Sequence, residues 1–316
     1  AVSFAKGYTA NVVVNKLTKP RGIIFDTEGN LLVVERGVGI TAIKLNDLGL
    51  NCVSAGSKIV VIKSTSLNHG IELSADGKKL YASDRDKVYS WDYDAKQAKT
   101  TSPKVTVVTG MNNTGHQSRT LAMSKKVPGM LFVSRGSEGN IDPLARDIKT
   151  GHSQLRAFDV SKATTPMDFS TSGKLLGWGL RNSVGVAENP ADGGIWSNEN
   201  GSDNMKRDNV DIHENSPGEE INYHGTLINN KFVGQGKNYG YPDCAATWTP
   251  SEMPRSKALS VGKQFLLGSE TASLSDKMCQ EKFIAPRITL PSHWAPIDMK
   301  FNSQGTVAYM TSRGSW

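Results

Sequence analysis

His116, in Thr114-Gly115-His116-Gln117-Ser118-Arg119-Thr120, has a side chain that can exchange a proton near neutral pH. It suits a general base that takes the proton of an alcohol, and a neighbouring guanidinium would lower its pKa. Such a group follows in Arg181-Asn182, and after it comes the acidic, glycine-containing stretch Glu199-Asn200-Gly201-Ser202-Asp203. That stretch offers carbonyl and carboxylate oxygens, the hard donors that Ca²⁺ prefers, without the spacing or terminal Glu of an EF-hand. Further polar groups stand just before apolar runs: Arg21 after Pro20, and the pair Asn68-His69.

The elements that would position these groups repeat along the chain. Residues 22–36 (GIIFDTEGNLLVVER) read as strand, turn, strand, and residues 70–84 (GIELSADGKKLYASD) repeat the pattern around Asp76-Gly77. A third strand follows each, at 40–45 and 88–93. The repeat distance is the ~40–50 residues of a propeller blade. A third copy runs through 120–123, 130–134 and 154–159; a fourth through 185–188, 194–197 and 219–222. A fifth begins at 296–301 and 307–310, and there the sequence ends. The predicted fold is all-β, a six-bladed β-propeller in one domain over 1–316, with the chain stopping within the fifth blade. The competing prediction is a five-bladed ring closed by a strand at 10–14. Helical periodicity is nearly absent, and 198–260 is the longest irregular stretch.

In a propeller, the loops leading into the innermost strands converge on one mouth of the central channel. Asn68, His69, His116, Arg181 and Asn182 all fall on such loops, with His116 read as the equivalent of His69. One assembled site is therefore expected.

Composition narrows the classes. With 316 residues and 37% hydrophobic content the chain buries a full core. No window approaches the ~20 apolar residues of a membrane helix. The net charge of +7 is spread along the chain rather than gathered on one face, which argues against nucleic acid. Of three cysteines, Cys244 and Cys279 are candidates for a disulfide and Cys52 is left over. Asn112-Asn113-Thr114 is a glycosylation sequon. The expected location is secreted and extracellular, with any signal peptide already removed.

Several segments together carry a family resemblance: Leu17-Thr-Lys-Pro-Arg-Gly22, Gly115-His-Gln-Ser118, Leu180-Arg-Asn182, Glu199-Asn-Gly-Ser202, Pro217-Gly-Glu-Glu-Ile-Asn222 and Gly236-Lys-Asn-Tyr-Gly-Tyr-Pro242. The sequence resembles the soluble quinoprotein sugar dehydrogenases that use pyrroloquinoline quinone (PQQ), and within them the fungal secreted pyranose dehydrogenases. The resemblance implies His116 as the base while hydride passes to PQQ. It implies Arg181 as a catalytic charge at the quinone, beside Asn182, and Asn68, His69 and Arg313 as further PQQ contacts. Main-chain oxygens of Gly201 and Ser202 would hold Ca²⁺, and Glu219 would be a supporting acid.

Three features depart from the pattern. Gly115 stands where bacterial glucose enzymes carry an acid, Ser202 replaces a proline, and the chain stops at Trp316. The resemblance further implies a pyranose substrate, chosen by the loop 239–248. It also implies a monomer and an external electron acceptor, either a cytochrome domain or an oxidative polysaccharide-degrading enzyme. Two rival readings fit a propeller: a calcium-dependent lactonase-type propeller hydrolase, and a non-catalytic propeller platform. The hydrolase holds its metal with side chains from several blades, and the platform leaves the channel histidine and arginine without a role.

Overall fold

A computed structural model describes residues 4–50, 52–161 and 163–314. Four four-stranded blades follow one another along the chain. The first is Pro20–Phe25, Leu31–Glu35, Gly39–Gly49 and Cys52–Lys63, paired in that order. The second is Ile71–Leu73, Lys79–Ser83, Val88–Asp94 and Val105–Thr109, with Met167–Asp168 added in parallel at its outer edge. The third is Leu121–Met123, Met130–Arg135, Gln154–Asp159 and Lys174–Trp178. The fourth is Ser183–Glu188, Ile195–Glu199, Glu219–Tyr223 and Ile288–Leu290. A hairpin of Pro296–Phe301 and Ala308–Ser312 follows. The first strands of successive blades touch one another in chain order, which makes the arrangement a β-propeller.

Alternation of side chains decides which residues form the seams between blades. Leu32, Val34 and Ile40 of the first blade pack on Leu80, Ala82 and Trp91 of the second. Val88 and Val107 pack on Leu131, Val133 and Phe158. Phe132, Leu155 and Leu176 meet Val186 and Ile195, and Ala187 and Ile221 meet Met299 of the last hairpin. Each such side chain, fully buried, contributes about 1.5–3 kcal/mol. The hairpin turn at Gly77 needs a left-handed residue, and glycine adopts its φ of 69° without a steric cost.

The strand pattern matches the sequence reading closely, with two corrections. Residues 10–14 lie in no strand, so the five-bladed closure has no closing element there. An α-helix that the hydrophobic period does not predict spans Asp276–Lys282, capped by the Ser275 side chain accepting from the Met278 N–H at 3.1 Å. Two turns are too short for a hydrophobic period to show. This helix carries Cys279, which is bonded to Cys244 across a Cα separation of 5.8 Å. The disulfide ties the helix to the ribbon Cys244–Ala246 with Gln264–Leu266, inside the insertion that separates the third and fourth strands of the fourth blade.

Candidate active site

A cavity of about 760 Å³ opens where the inner strands begin. Its wall includes Arg21, Arg36, Asn68, His69, His116, Gln117, Asn182, Asn200 and Arg313. Among the described residues no Asp or Glu lines it.

Arg21 lies in the first strand, Arg36 directly follows the second strand of the first blade, and Arg313 directly follows the last hairpin. Among the described residues none of the three has a carboxylate partner. Arg21 donates to Nδ1 of His69 at 3.4 Å and Arg36 to Oε1 of Gln117 at 3.5 Å. Burial, then the charges of Arg36 and Arg313, push the Arg21 pKa down. Three guanidinium groups without a counter-charge make a strongly electropositive hole.

His69 is buried, and its Nε2 lies 3.2 Å from Oγ1 of Thr120, which itself donates to the Val184 carbonyl at 2.5 Å. Burial first, and the charge of Arg21 second, bring its pKa down to about 4. The Asn68 amide donates to the Gln117 carbonyl at 3.1 Å, while its buried Oδ1 has no hydrogen-bond partner among the described residues. That acceptor is free for a ligand that carries a donor.

His116 is half-buried on the loop before the third blade. Its pKa is pushed down to about 4 by burial, with the charge of Arg181 next in size. It does not occupy the place equivalent to His69. The Ser83 N–H pairs with the Gly70 carbonyl, and Ser134 N–H with that of Thr120, so Arg119 is the register equivalent of His69. Arg119 turns into the protein instead. It donates to the carbonyls of Arg85, Met111, His116 and Ser118 and to the Asn113 side chain. The loop curls around this guanidinium and so presents His116 to the channel.

Asn182 reaches the same wall. Its N–H donates to Oε2 of Glu199 at 3.1 Å. A Cβ on Gly136 would lie 2.6 Å from Oδ1 of Asn182 and 2.7 Å from Cβ of His116, so only glycine lets these two groups approach.

The structure thus brings Asn68, His69, His116, Asn182 and Arg313 together. It does not bring Arg181 to the channel wall. Its guanidinium is held by Oδ1 and the carbonyl of Asn140 (3.0 and 3.1 Å), the Asn200 carbonyl (3.2 Å) and the Asp203 carboxylate (3.1 Å). Arg181, Gly201 and Ser202 border a second, small cavity of about 30 Å³ behind the channel, and Asn200 borders both. The Gly201 N–H donates to Oε2 of Glu219 at 2.5 Å, and burial raises that carboxyl to about 7.

The loop 239–248 does not reach the channel either. Tyr239 donates to the Tyr223 carbonyl at 2.5 Å and Tyr241 to that of Asn140 at 3.0 Å, so both rings are committed to packing. Arg36, Gln117 and Asn200 also line the cavity and were not expected there. The usable signal was weak: each follows a strand or a site residue already recognised.

A family profile described as TrAA12-like matches residues 2–316. The chain belongs to the TrAA12-like family. A curated relative, the pyrroloquinoline quinone-dependent sugar dehydrogenase of Hypocrea jecorina (strain QM6a), is 47% identical over 98% of this chain and 73% of that protein. The pyrroloquinoline quinone-dependent pyranose dehydrogenase of Coprinopsis cinerea is 39% identical over all of this chain, which spans 43% of that protein. A calcium structure of a Trichoderma reesei family AA12 protein superposes with a TM-score of 0.94 at 47% identity, covering 98% of this chain and 77% of that one. Both curated relatives are dehydrogenases, and so oxidoreductases, by name.

Proposed function

We propose that this TrAA12-like chain oxidises a hydroxyl of a pyranose sugar with PQQ bound in the channel. The observation that carries the reading is the trio Arg21, Arg36 and Arg313, which faces a cavity of about 760 Å³ without any carboxylate among its described lining residues. PQQ is a flat tricarboxylate, and a charge-assisted hydrogen bond to each arginine suits it. The free Oδ1 of Asn68 adds an acceptor beside them. Bound there, PQQ supplies the two-electron acceptor that the side chains themselves lack.

The chain's own residues then bind, orient and move a proton. His116 stays neutral down to about pH 4 and accepts the hydroxyl proton. His69 and Asn182 shape the channel wall. Arg181 acts through its charge from behind that wall, since its guanidinium is already occupied by protein oxygens.

Calcium belongs to the same proposal. No group of three or more His, Cys, Asp or Glu among the described residues is placed to hold a metal. Calcium wants six to eight oxygens, and the Gly201 and Ser202 carbonyls would supply two of them. The lactonase-type reading, which needs a side-chain cage, is weaker for the same reason.

We also propose closure of the ring as six blades, a secreted monomer, and an external electron acceptor that is either a cytochrome domain or an oxidative polysaccharide-degrading enzyme. The test is to titrate the metal-stripped protein with PQQ, with and without Ca²⁺, and to follow quinone reduction by pyranoses. Reduction is expected only with both present. Reduction that persists undiminished in His116→Ala would remove the proposed base, and failure to bind PQQ would remove the whole reading.

A further inference from the structure

Ser137 lies two residues past the second strand of the third blade, fully buried, directly beside the His116 loop. Its Oγ is 2.8 Å from Nδ1 of His116, and its main-chain carbonyl is 3.3 Å from the same nitrogen. The hydroxyl has a second partner. It donates to the Gly139 carbonyl at 2.6 Å. A hydroxyl has one proton, so with that proton given to Gly139 its oxygen can only accept from His116. The Ser137 carbonyl, too, can only accept. With the hydroxyl proton on the Gly139 carbonyl, both neighbours of Nδ1 accept from it.

We infer that Ser137 is a positioning residue that locks His116 in the Nδ1–H tautomer and leaves the lone pair of Nε2 toward the channel. Among the described residues Nε2 makes no hydrogen bond, so nothing competes for that lone pair.

The lock is itself held rigid. The His116 N–H donates to the Ser137 carbonyl at 3.0 Å, the Asn113 amide to the same carbonyl at 3.0 Å, and the Ser137 N–H to the Arg181 carbonyl at 2.9 Å. Ser137 is thus stitched at once to the base and to the backbone of Arg181. A serine chained to a carbonyl orients the ring without placing a negative charge on it. A carboxylate in that place would orient the ring and also raise its pKa. The inference deepens the reading of His116 as base, but it concerns the tautomer of the protein alone and can be measured without cofactor or sugar.

The experiment is long-range ¹H–¹⁵N NMR of the imidazoles in the full chain without PQQ, near pH 7, with His116 assigned by the signal lost in His116→Gln. A pyrrole-type Nδ1 and a pyridine-type Nε2 are expected. In Ser137→Ala the pattern is expected to shift toward Nε2–H. With PQQ, calcium and sugar supplied, kcat falls roughly tenfold in that variant, while PQQ affinity is unchanged. Ser137→Thr, which keeps the hydroxyl, is expected to restore both the tautomer and part of the rate.

An Nε2–H pattern in the unmodified protein overturns the inference, whatever the variants do. So does an Nδ1–H pattern that survives Ser137→Ala intact. Full activity in His116→Ala alongside an Nδ1–H tautomer would instead remove the base reading and leave the tautomer lock standing.

Discussion

The buried guanidinium of Arg119 donates at 2.7 Å to the main-chain carbonyl of His116, three residues back along the chain. The same guanidinium collects the carbonyls of Met111 and Ser118 at 2.7 Å each and that of Arg85 at 3.0 Å. Among the described residues this buried cation makes no carboxylate contact and is held by carbonyl dipoles, and the loop before the third blade takes its shape from it.

Replacing Arg119 by Met would leave several buried carbonyls without donors. A loss of roughly 3 kcal/mol is expected, read as a lower urea midpoint with unchanged slope. The turnover rate should fall with it, because the loop that presents His116 loosens.

The acid limb of activity follows from His116. Burial, and then Arg181, hold its pKa at about 4. The group must be neutral to accept a proton, so activity is present above that pH and lost below it. kcat/KM is expected to be level down to about pH 5 and to drop about tenfold per unit well below the pKa. Arg181→Gln removes a charge that lowers the pKa, so the limb should move to higher pH. A limb that stays in place would show that Arg181 does not act on His116.

Gly115 cannot be exchanged for the acid found in bacterial glucose enzymes. A Cβ at this position would lie 1.6 Å from the Glu138 carbonyl oxygen. Gly115→Ala and Gly115→Asp are both expected to cost about 3 kcal/mol or more in thermal or urea unfolding. A Gly115→Asp variant with an unchanged midpoint would contradict this packing.

The arginine trio should govern cofactor affinity. Substituting Arg21, Arg36 or Arg313 singly by Ala is expected to weaken PQQ binding about 10- to 100-fold, the loss of one hydrogen bond to a charged group. Calorimetric titration against PQQ measures this, and added salt should weaken binding in the unmodified protein. Equal affinity in all three variants would place PQQ elsewhere.

Much of the fold was legible because blade strands are local objects. Residues 22–36 and 70–84 carry their alternation and turn within fifteen or so positions, so pattern alone finds them. Asn68, His69 and His116 were legible as residues lining the cavity because polar groups at the head of an apolar run are conspicuous. The helix Asp276–Lys282 and the role of Ser137 were not legible, the one too short and the other an ordinary serine after a strand.

The sequence by itself determined that blades exist, roughly where each begins and that a histidine stands near an inner strand, and it offered Cys244 and Cys279 as a candidate disulfide. Only the tertiary structure decided which way the polar side chains of those loops turn. Arg119 and His69 hold equivalent places in the register, yet one points into carbonyls of its own loop and the other reaches Arg21. Arg181 is drawn away from the channel wall by Asn140 and Asp203, which belong to two other loops. The reason is physical. A strand's alternation is set by neighbours one and two residues away, whereas a buried charge goes wherever the folded ring supplies the most oxygens, and those come from distant parts of the chain.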